Sequence, residues 1–521
     1  MATKGKQRQV QSIGLPVRFA AAVFVVLLGW SLLVYLTIRV DSDIVAEAIQ
    51  VQRWLQNPTL VLSYPGQYYG GVLEYPLIAI AETLAPGQVY ALTALRILYL
   101  PVVGVLAVSS AHLLFPRWSL WPFVPVAAAG PAVLHGMMPI KDLYPLAWLV
   151  GMLGTFLALR AWQRSSPGWV LALAGILAGL AVYQHPTAAL LVLPLAAAGM
   201  VRWAPGLARL SWWGAGFLVG LIPLVIARFG QSDTYLAYAP QRQGLPNLPG
   251  AFGLTAAGWP TAIVPNGWGM QHTNLNDLQF PDWLQYGINA LLAVFIVAST
   301  ALALRSLLAR RFGELASERT VIYTMWAVAL LVLIAIVIAV PPVYFYGSAL
   351  AVAAWITVVA GWNEVWSQTG RVIAGVVVVL AAITSAGSVA ALNPPLPGAV
   401  GFKNAQAQEV RDVAAAIEDA DIPIVFGDYW ETLPIAYASS GAVFPVTVPV
   451  SRFEFPDRFQ GSVRVAVPTG YTALPPGLTR WGSAETAVGI VDAECVRLPQ
   501  DVVEGPAPVR AYECPVSVFT S

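Results

Sequence analysis

Apolar runs separated by short polar breaks organise the chain from residue 18 to residue 392. A bilayer-spanning helix needs about 20 such residues. The runs predict spans at 18–38, 89–114, 119–137, 143–162, 168–184, 187–203, 211–228, 284–307, 320–340, 346–366 and 371–392, about eleven transmembrane helices in all. Beyond residue 392 the pattern changes. "AQAQEVRDVAAAIEDA" has apolar residues at helical spacing, and "DIPIVFGDY" and "AVFPVTVPV" read as strands. The predicted organisation is a polytopic α-helical membrane domain over 1–392 and a soluble α/β domain over 393–521. Two connections within the first domain, 39–88 and 229–283, are too long to be simple links.

The Lys/Arg distribution orients these helices. With the N-terminus inside, the inner side collects Arg117, Arg160, Arg164, Arg202, Arg209, Arg305, Arg310 and Arg311, together with the basic lead "MATKGKQRQVQSIGLPVRF". The outer loops hold few cations. The basic lead precedes an apolar run too long for a signal peptide, with no small-residue cleavage site after it, so a retained anchor is expected. The protein is therefore expected to be a multi-pass plasma-membrane protein with a cytoplasmic N-terminus and an extracytoplasmic tail. The acids show the opposite bias: Asp41, Asp43, Glu47, Glu74, Glu82, Asp142, Asp233, Asp277 and Asp282 fall outside. Acids do little to set topology, which points to function on the outer face.

Composition narrows the class. The chain of 521 residues is 57% hydrophobic and 11% charged, with a mean hydropathy of +0.67, values of a protein solvated by lipid. A net charge of +1 excludes the basic field of a nucleic-acid binder. Cys495 and Cys514 both lie in the tail expected outside, where disulfides persist, so they are expected to pair. The abundance of Gly, Ala, Val and Pro is that of a high-GC, actinobacteria-like genome.

Candidate chemistry gathers on the outer loops. Asp41 and Asp43 open the segment "DIVAEAIQVQRWLQ", expected to form an amphipathic helix along the membrane surface. Either acid can cap that helix or act as a base. Asp41, directly after the first span, is the better cap, which leaves Asp43 as the better base. In "YPGQYYGGVLEYPL", Tyr68, Tyr69 and Glu74 face the same loop. Glu74 stands as a helix cap or as a contact to sugar or metal, and the amides after Gly70-Gly71 offer a phosphate site. Lys141 and Asp142 return to this surface, as an ion pair or as a phosphate cation and a second carboxylate. His185 in "YQHPTAA" is a candidate for phosphate binding or proton transfer, and His272 and Trp268 are looser candidates for substrate contact. Walker, Rossmann, zinc-spaced and Ser-His-Asp patterns are missing from the sequence.

The acids after the first helix, the "QYYGGVLEYPL" and "KDLYPLAWLVGMLG" stretches and the outer C-terminal domain together resemble GT-C-type integral membrane glycosyltransferases. Among these the chain resembles the protein O-mannosyltransferase and lipid A aminoarabinose transferase group (family 39). The chain departs from the group in carrying Asp-Ser-Asp where O-mannosyltransferases have an Asp-Glu pair, and in having no Trp-Trp-Asp signature.

The resemblance implies an inverting enzyme that moves a sugar from a polyprenyl-phosphate donor, in or beside the membrane lipid, to a cell-envelope glycan, glycolipid or protein. The sugar would be mannose, arabinofuranose or a similar one, and the product would serve cell-wall biogenesis. It implies Asp43 or Asp41 as base, Asp142 as second carboxylate, and Lys141, His185 or Arg228 as the group holding the donor phosphate. It leaves open whether Mg²⁺ or Mn²⁺ takes part. A transporter or flippase for lipid-linked sugars and a non-catalytic envelope-binding protein stand as the alternatives.

Overall fold

A computed structural model of the chain describes residues 3–37, 42–56, 70–116, 144–203, 205–230, 396–448, 458–469, 484–504 and 508–520, with short stretches and single positions between them. The helices in chain order are α1 (Thr3–Thr37), α2 (Ser42–Gln56), α3 (Tyr75–Leu84), α4 (Val89–Arg96), α5 (Tyr99–Leu114), α6 (Tyr144–Arg164), α7 (Gly168–Gln184), α8 (Ala189–Trp203) and α9 (Leu207–Gly230). In the C-terminal part they are α10 (Leu396–Asp419), α11 (Tyr429–Ala438), α12 (Ala484–Glu494) and α13 (Ser517–Thr520). The strands are β1 (Ile424–Asp428), β2 (Phe444–Val448), β3 (Ser462–Pro468), β4 (Val496–Arg497) and β5 (Val509–Pro515).

Three described helical stretches are long and apolar enough to cross a membrane: Pro145–Arg164, Pro186–Trp203 and Leu207–Ala227. The expected spans 284–307 and 346–366 lie outside the described residues, and 119–137, 320–340 and 371–392 largely so. The segment 89–114, expected as one span, is two helices. Pro101 explains the break: it has no N–H for the carbonyl of residue 97, and its ring would clash there in a continuous helix.

Close backbone approach organises the bundle. A Cβ on Gly154 of α6 would lie 2.8 Å from the Ala174 carbonyl of α7. On the other side of α7, Gly175 and Gly179 meet Gly216 and Gly220 of α9, where added Cβ atoms would fall 2.1–2.3 Å from carbonyl oxygens of the facing helix. Small residues at a four-residue interval on both helices permit this contact. The pairings advance together along α7 and α9, so these two helices run parallel, while α6 runs antiparallel to α7. Arg160, Arg164, Arg202 and Arg209 consequently share one end of the bundle, and the ends of α7 and α9 lie at the other.

The C-terminal part forms a five-stranded sheet of order β2-β1-β3-β5-β4. Strands β1, β2 and β3 are parallel, whereas β5 runs antiparallel to β3 and β4. The β1–α11–β2 crossover supplies the long connection that parallel pairing requires. Cys495, just after α12, is disulfide-bonded to Cys514 of β5.

The position of α2 differs from expectation. Residues Val45 through Gln52 are all buried, and the apolar ones share a core with the sheet and α11 as well as with Tyr75 and Ile78 of α3. Instead of lying half-exposed on the membrane surface, α2 is enclosed between the bundle and the α/β unit. The first outer loop thus packs with the C-terminal part as well as with the end of the bundle.

Candidate functional site

Asp43 sits in the first turn of α2 and Glu47 one turn later. Glu47 Oε2 accepts a bond from Arg96 Nη2 at 2.7 Å. The same guanidinium spans to α3, with Nη2 2.8 Å from Glu74 Oε2 and Nε 2.9 Å from Glu74 Oε1. Tyr99 O–H donates to Glu74 Oε1 at 3.0 Å. The side chains of Arg96 and Glu47 are 0% exposed and that of Glu74 is 1% exposed. Charges so deeply buried persist when paired and hydrogen-bonded. Arg96 lies inside an apolar stretch, at the break between α4 and α5, and nothing in the loop charge pattern points to it.

Glu74 is therefore an ion-pair partner. It stands at the N-cap of α3 but makes no capping hydrogen bond with its side chain, so the capping alternative is corrected: both oxygens are drawn to Arg96.

The loop before it is strapped to the end of α7. Gly71 N–H donates to the Gln184 carbonyl at 2.9 Å, Leu73 N–H to Gln184 Oε1 at 2.8 Å, and Val72 N–H to Tyr183 Oη at 3.2 Å. Tyr183 O–H donates in turn to the Leu62 carbonyl. A Cβ on Gly71 would lie 2.7 Å from Gln184 Cα, so glycine is needed for the approach. The amides expected to receive a phosphate are taken by this strap.

His185 occupies the turn between α7 and α8. Its Nδ1 lies 2.8 Å from Thr187 Oγ1 and accepts from Thr187 N–H at 3.3 Å, capping the short 3-10 turn Pro186–Ala188. Burial pushes the imidazole down from 6.5 to about 3, so it is neutral and supplies no cation to a phosphate. The folded chain refuses a proton that the unfolded chain binds below its ordinary value. Stability is full above pH 6.5 and falls as pH drops toward 3. His185→Asn, which keeps an acceptor, is expected to flatten this acid-side slope in melting curves recorded across that window. A slope equal to that of the unsubstituted protein would rule out His185 as its source.

A third buried carboxylate lies on the α/β side of α2. Glu82 Oε1 accepts from Tyr437 O–H at 2.6 Å, and Oε2 accepts from Gln52 Nε2 at 2.8 Å and from Gly87 N–H at 3.2 Å. Burial first, and the Glu82 charge second, hold the Tyr437 hydroxyl well above its ordinary value, so it remains a donor. Arg53 of α2 lies over the rings of Phe444 and Phe453, 5.1 and 5.6 Å from their centroids.

Of the residues singled out by sequence, Glu74 and His185 are described in full, and they stand on the two sides of the strap. Asp43 and Arg228 are placed by their backbones. Arg228 falls in the last turn of α9, at the end of the bundle where α7 meets Gly71. Asp41, Tyr68, Tyr69, Lys141, Asp142, Trp268 and His272 lie outside the described residues. Among the described residues no group of three His, Cys, Asp or Glu side chains comes together that could hold a metal ion.

No family model matches the chain, and no curated protein matches it. Among solved structures the chain is similar to ArnT from Cupriavidus metallidurans. It shows 14% identity over 96% of this chain and 98% of that one, with a TM-score of 0.43, to the crystal structure bound to undecaprenyl phosphate. To the apo structure it shows 15% identity over 98% and 99%, with the same TM-score.

Proposed function

We propose that the chain is an integral membrane glycosyltransferase of inverting type, transferring a sugar from a polyprenyl-phosphate donor to a hydroxyl of a cell-envelope acceptor on the extracytoplasmic face. The observation that carries this reading is the seat of α2. Its second and third turns are held between the apolar bundle and the α/β unit, by the Glu47–Arg96 pair on one side and by Gln52 and Tyr437 meeting at Glu82 on the other, and its first turn carries Asp43. An acidic residue on a helix seated between an apolar bundle and an α/β unit suits a donor that is anchored in lipid and an acceptor that is not. The arginines at the far end of the bundle support placing this end outside, as does the disulfide of the α/β unit.

In the proposed reaction the acceptor oxygen attacks the anomeric carbon as the bond from that carbon to the phosphate oxygen breaks. The electron pair leaves on the polyprenyl phosphate, and the acceptor proton passes to the Asp43 carboxylate. The leaving phosphate gains a negative charge, which a cation must meet. Arg228, at this end of α9, and Lys141, two residues before the last residue ahead of α6, are the cations assigned to it. Asp142 is proposed as the second carboxylate, with mannose or arabinofuranose as the sugar.

The test is transfer by purified protein in nanodiscs, with polyprenyl-phosphate mannose or arabinofuranose as donor. Asp43→Asn is expected to lower kcat at least ~100-fold, the lower range for loss of a general base, while melting stays unchanged. Transfer at the normal rate by Asp43→Asn would sink the assignment of the base. Transfer by no variant, the unsubstituted protein included, would sink the activity.

A further inference from the structure

Three elements distant in sequence converge on the Glu82 carboxylate: the third turn of α2 through Gln52, the turn after α3 through Gly87, and the last turn of α11 through Tyr437. Glu82, Gln52 and Tyr437 are 4%, 6% and 1% exposed. The backbones close in around them. Gly87 has a φ of +66°, and a Cβ there would lie 3.1 Å from Ser440 Oγ and 3.3 Å from the Tyr437 carbonyl. Gly441, with a φ of +87°, lies so near the end of α2 that a Cβ would be 2.9 Å from Gln56 Nε2.

Apolar residues of matching shape would hold such an interface at least as strongly as a buried carboxylate does. What donors to both oxygens of Glu82 add is one register, because a slip of α11 along α2 leaves a buried carboxylate short of donors. The helix it registers is the one that carries Asp43. Arg96 grips the second turn of α2 from the bundle side through Glu47, and Glu82 grips the third turn from the α/β side.

We infer that Tyr437, Glu82 and Gln52 form a positioning clamp through which the α/β unit sets the place of α2, and with it Asp43, over the end of the helix bundle; this rests on the transferase reading above. Tyr437 is thus a positioning residue for the transfer reaction although it is contributed by the C-terminal unit. The α/β unit becomes part of the active machinery rather than an appended binding module.

The experiment uses the full chain in nanodiscs. Tyr437→Phe keeps the ring and removes the donor. A displacement of about 1 Å at a reacting group costs up to ~100-fold in rate, so kcat is expected to fall about 10- to 100-fold. The donor KM should stay within about 2-fold, because the variant leaves the donor cations untouched. The pH profile of the residual activity should keep its shape, since the base is displaced and not replaced.

Spin labels on Leu55→Cys of α2 and Glu418→Cys of α10, both exposed, should give a broader distance distribution in the Tyr437→Phe background. Gln52→Leu, which removes a different donor from the same carboxylate, should reproduce both effects should Tyr437→Phe fail to fold. Normal kcat in the folded variants, or an unaltered distance distribution, would overturn the clamp. If the unsubstituted protein transfers no sugar, the transferase reading fails by itself, and the distance measurement still decides whether the clamp holds α2.

Discussion

Arg96→Met is expected to destabilise the protein by about 3–5 kcal/mol, the usual consequence of removing one partner from a buried ion pair. The guanidinium engages Glu47 and Glu74 at once, and methionine fills the volume without meeting either charge. Lysine should restore only part of the loss. Arg96 presents Nε and Nη2 together to the two oxygens of Glu74, and an ammonium is a point charge without that fork. Adding Glu74→Gln to Arg96→Met removes one of the stranded charges and should recover a large share of the stability, a coupling between contacting residues. The measurement is the apparent melting temperature of the purified protein in one detergent across the four forms.

The Arg464–Asp421 pair is the control. It has the same kind of geometry, 2.9 Å, but its side chains are 46% and 95% exposed, so Arg464→Met should shift melting little. Equal shifts for Arg96→Met and Arg464→Met would refute a structural role for the buried cluster. The consequence for function follows from α2. Without Arg96 its second turn loses its hold on the bundle, and Asp43 lies one turn away.

Much of this architecture is legible in the chain because apolar length and turn chemistry are local properties. The run 168–184 is α7 to the residue, and "DIPIVFGDY" and "AVFPVTVPV" hold β1 and β2. Arg96 escapes a reading by apolar windows because one cation hardly lowers the mean over a 26-residue run. The signal was nonetheless present: an ionisable residue inside an apolar stretch demands a partner, and Pro101 marks the break beside it. Glu74 is visible as an acid in a membrane loop, but its role depends on Arg96 and Tyr99, which lie 22 and 25 positions further on.

The enclosure of α2 was beyond reach by such means. An alternation of apolar and polar residues predicts one wet face, and only the arrival of α11 and the sheet shows that Gln52 bonds to Glu82 rather than to water. Tyr437 and Glu82 are 355 positions apart, and no local pattern encodes that meeting. His185 illustrates the converse. The sequence offers a histidine at an outer turn, while its charge state is decided by how completely the neighbouring helices bury it.

Gly175→Ala and Gly216→Ala are each expected to destabilise the pairing of α7 with α9 by about 3 kcal/mol, the upper part of the usual range for overpacking. The Cβ added at Gly175 would lie 2.1 Å from the Trp213 carbonyl oxygen, and that added at Gly216 would lie 2.1 Å from the Ala172 carbonyl oxygen. Both obstacles are backbone, so no rotamer change relieves the clash and the helices must separate. Separation also opens the neighbouring contacts of Gly179 with Phe217 and of Gly220 with Ile176, which makes the loss cooperative along the interface. Gly214→Ala supplies the opposing case on the same helix, since nothing lies within 4 Å of the added atom. Alanine exceeds glycine in helix propensity by about 1 kcal/mol, so Gly214→Ala should melt at or above the unsubstituted protein. A zipper-like contact between parallel helices predicts opposite signs for Gly214 and Gly216, two residues apart. Melting shifts of one sign and similar size at both positions would mean that α7 and α9 are not packed backbone to backbone.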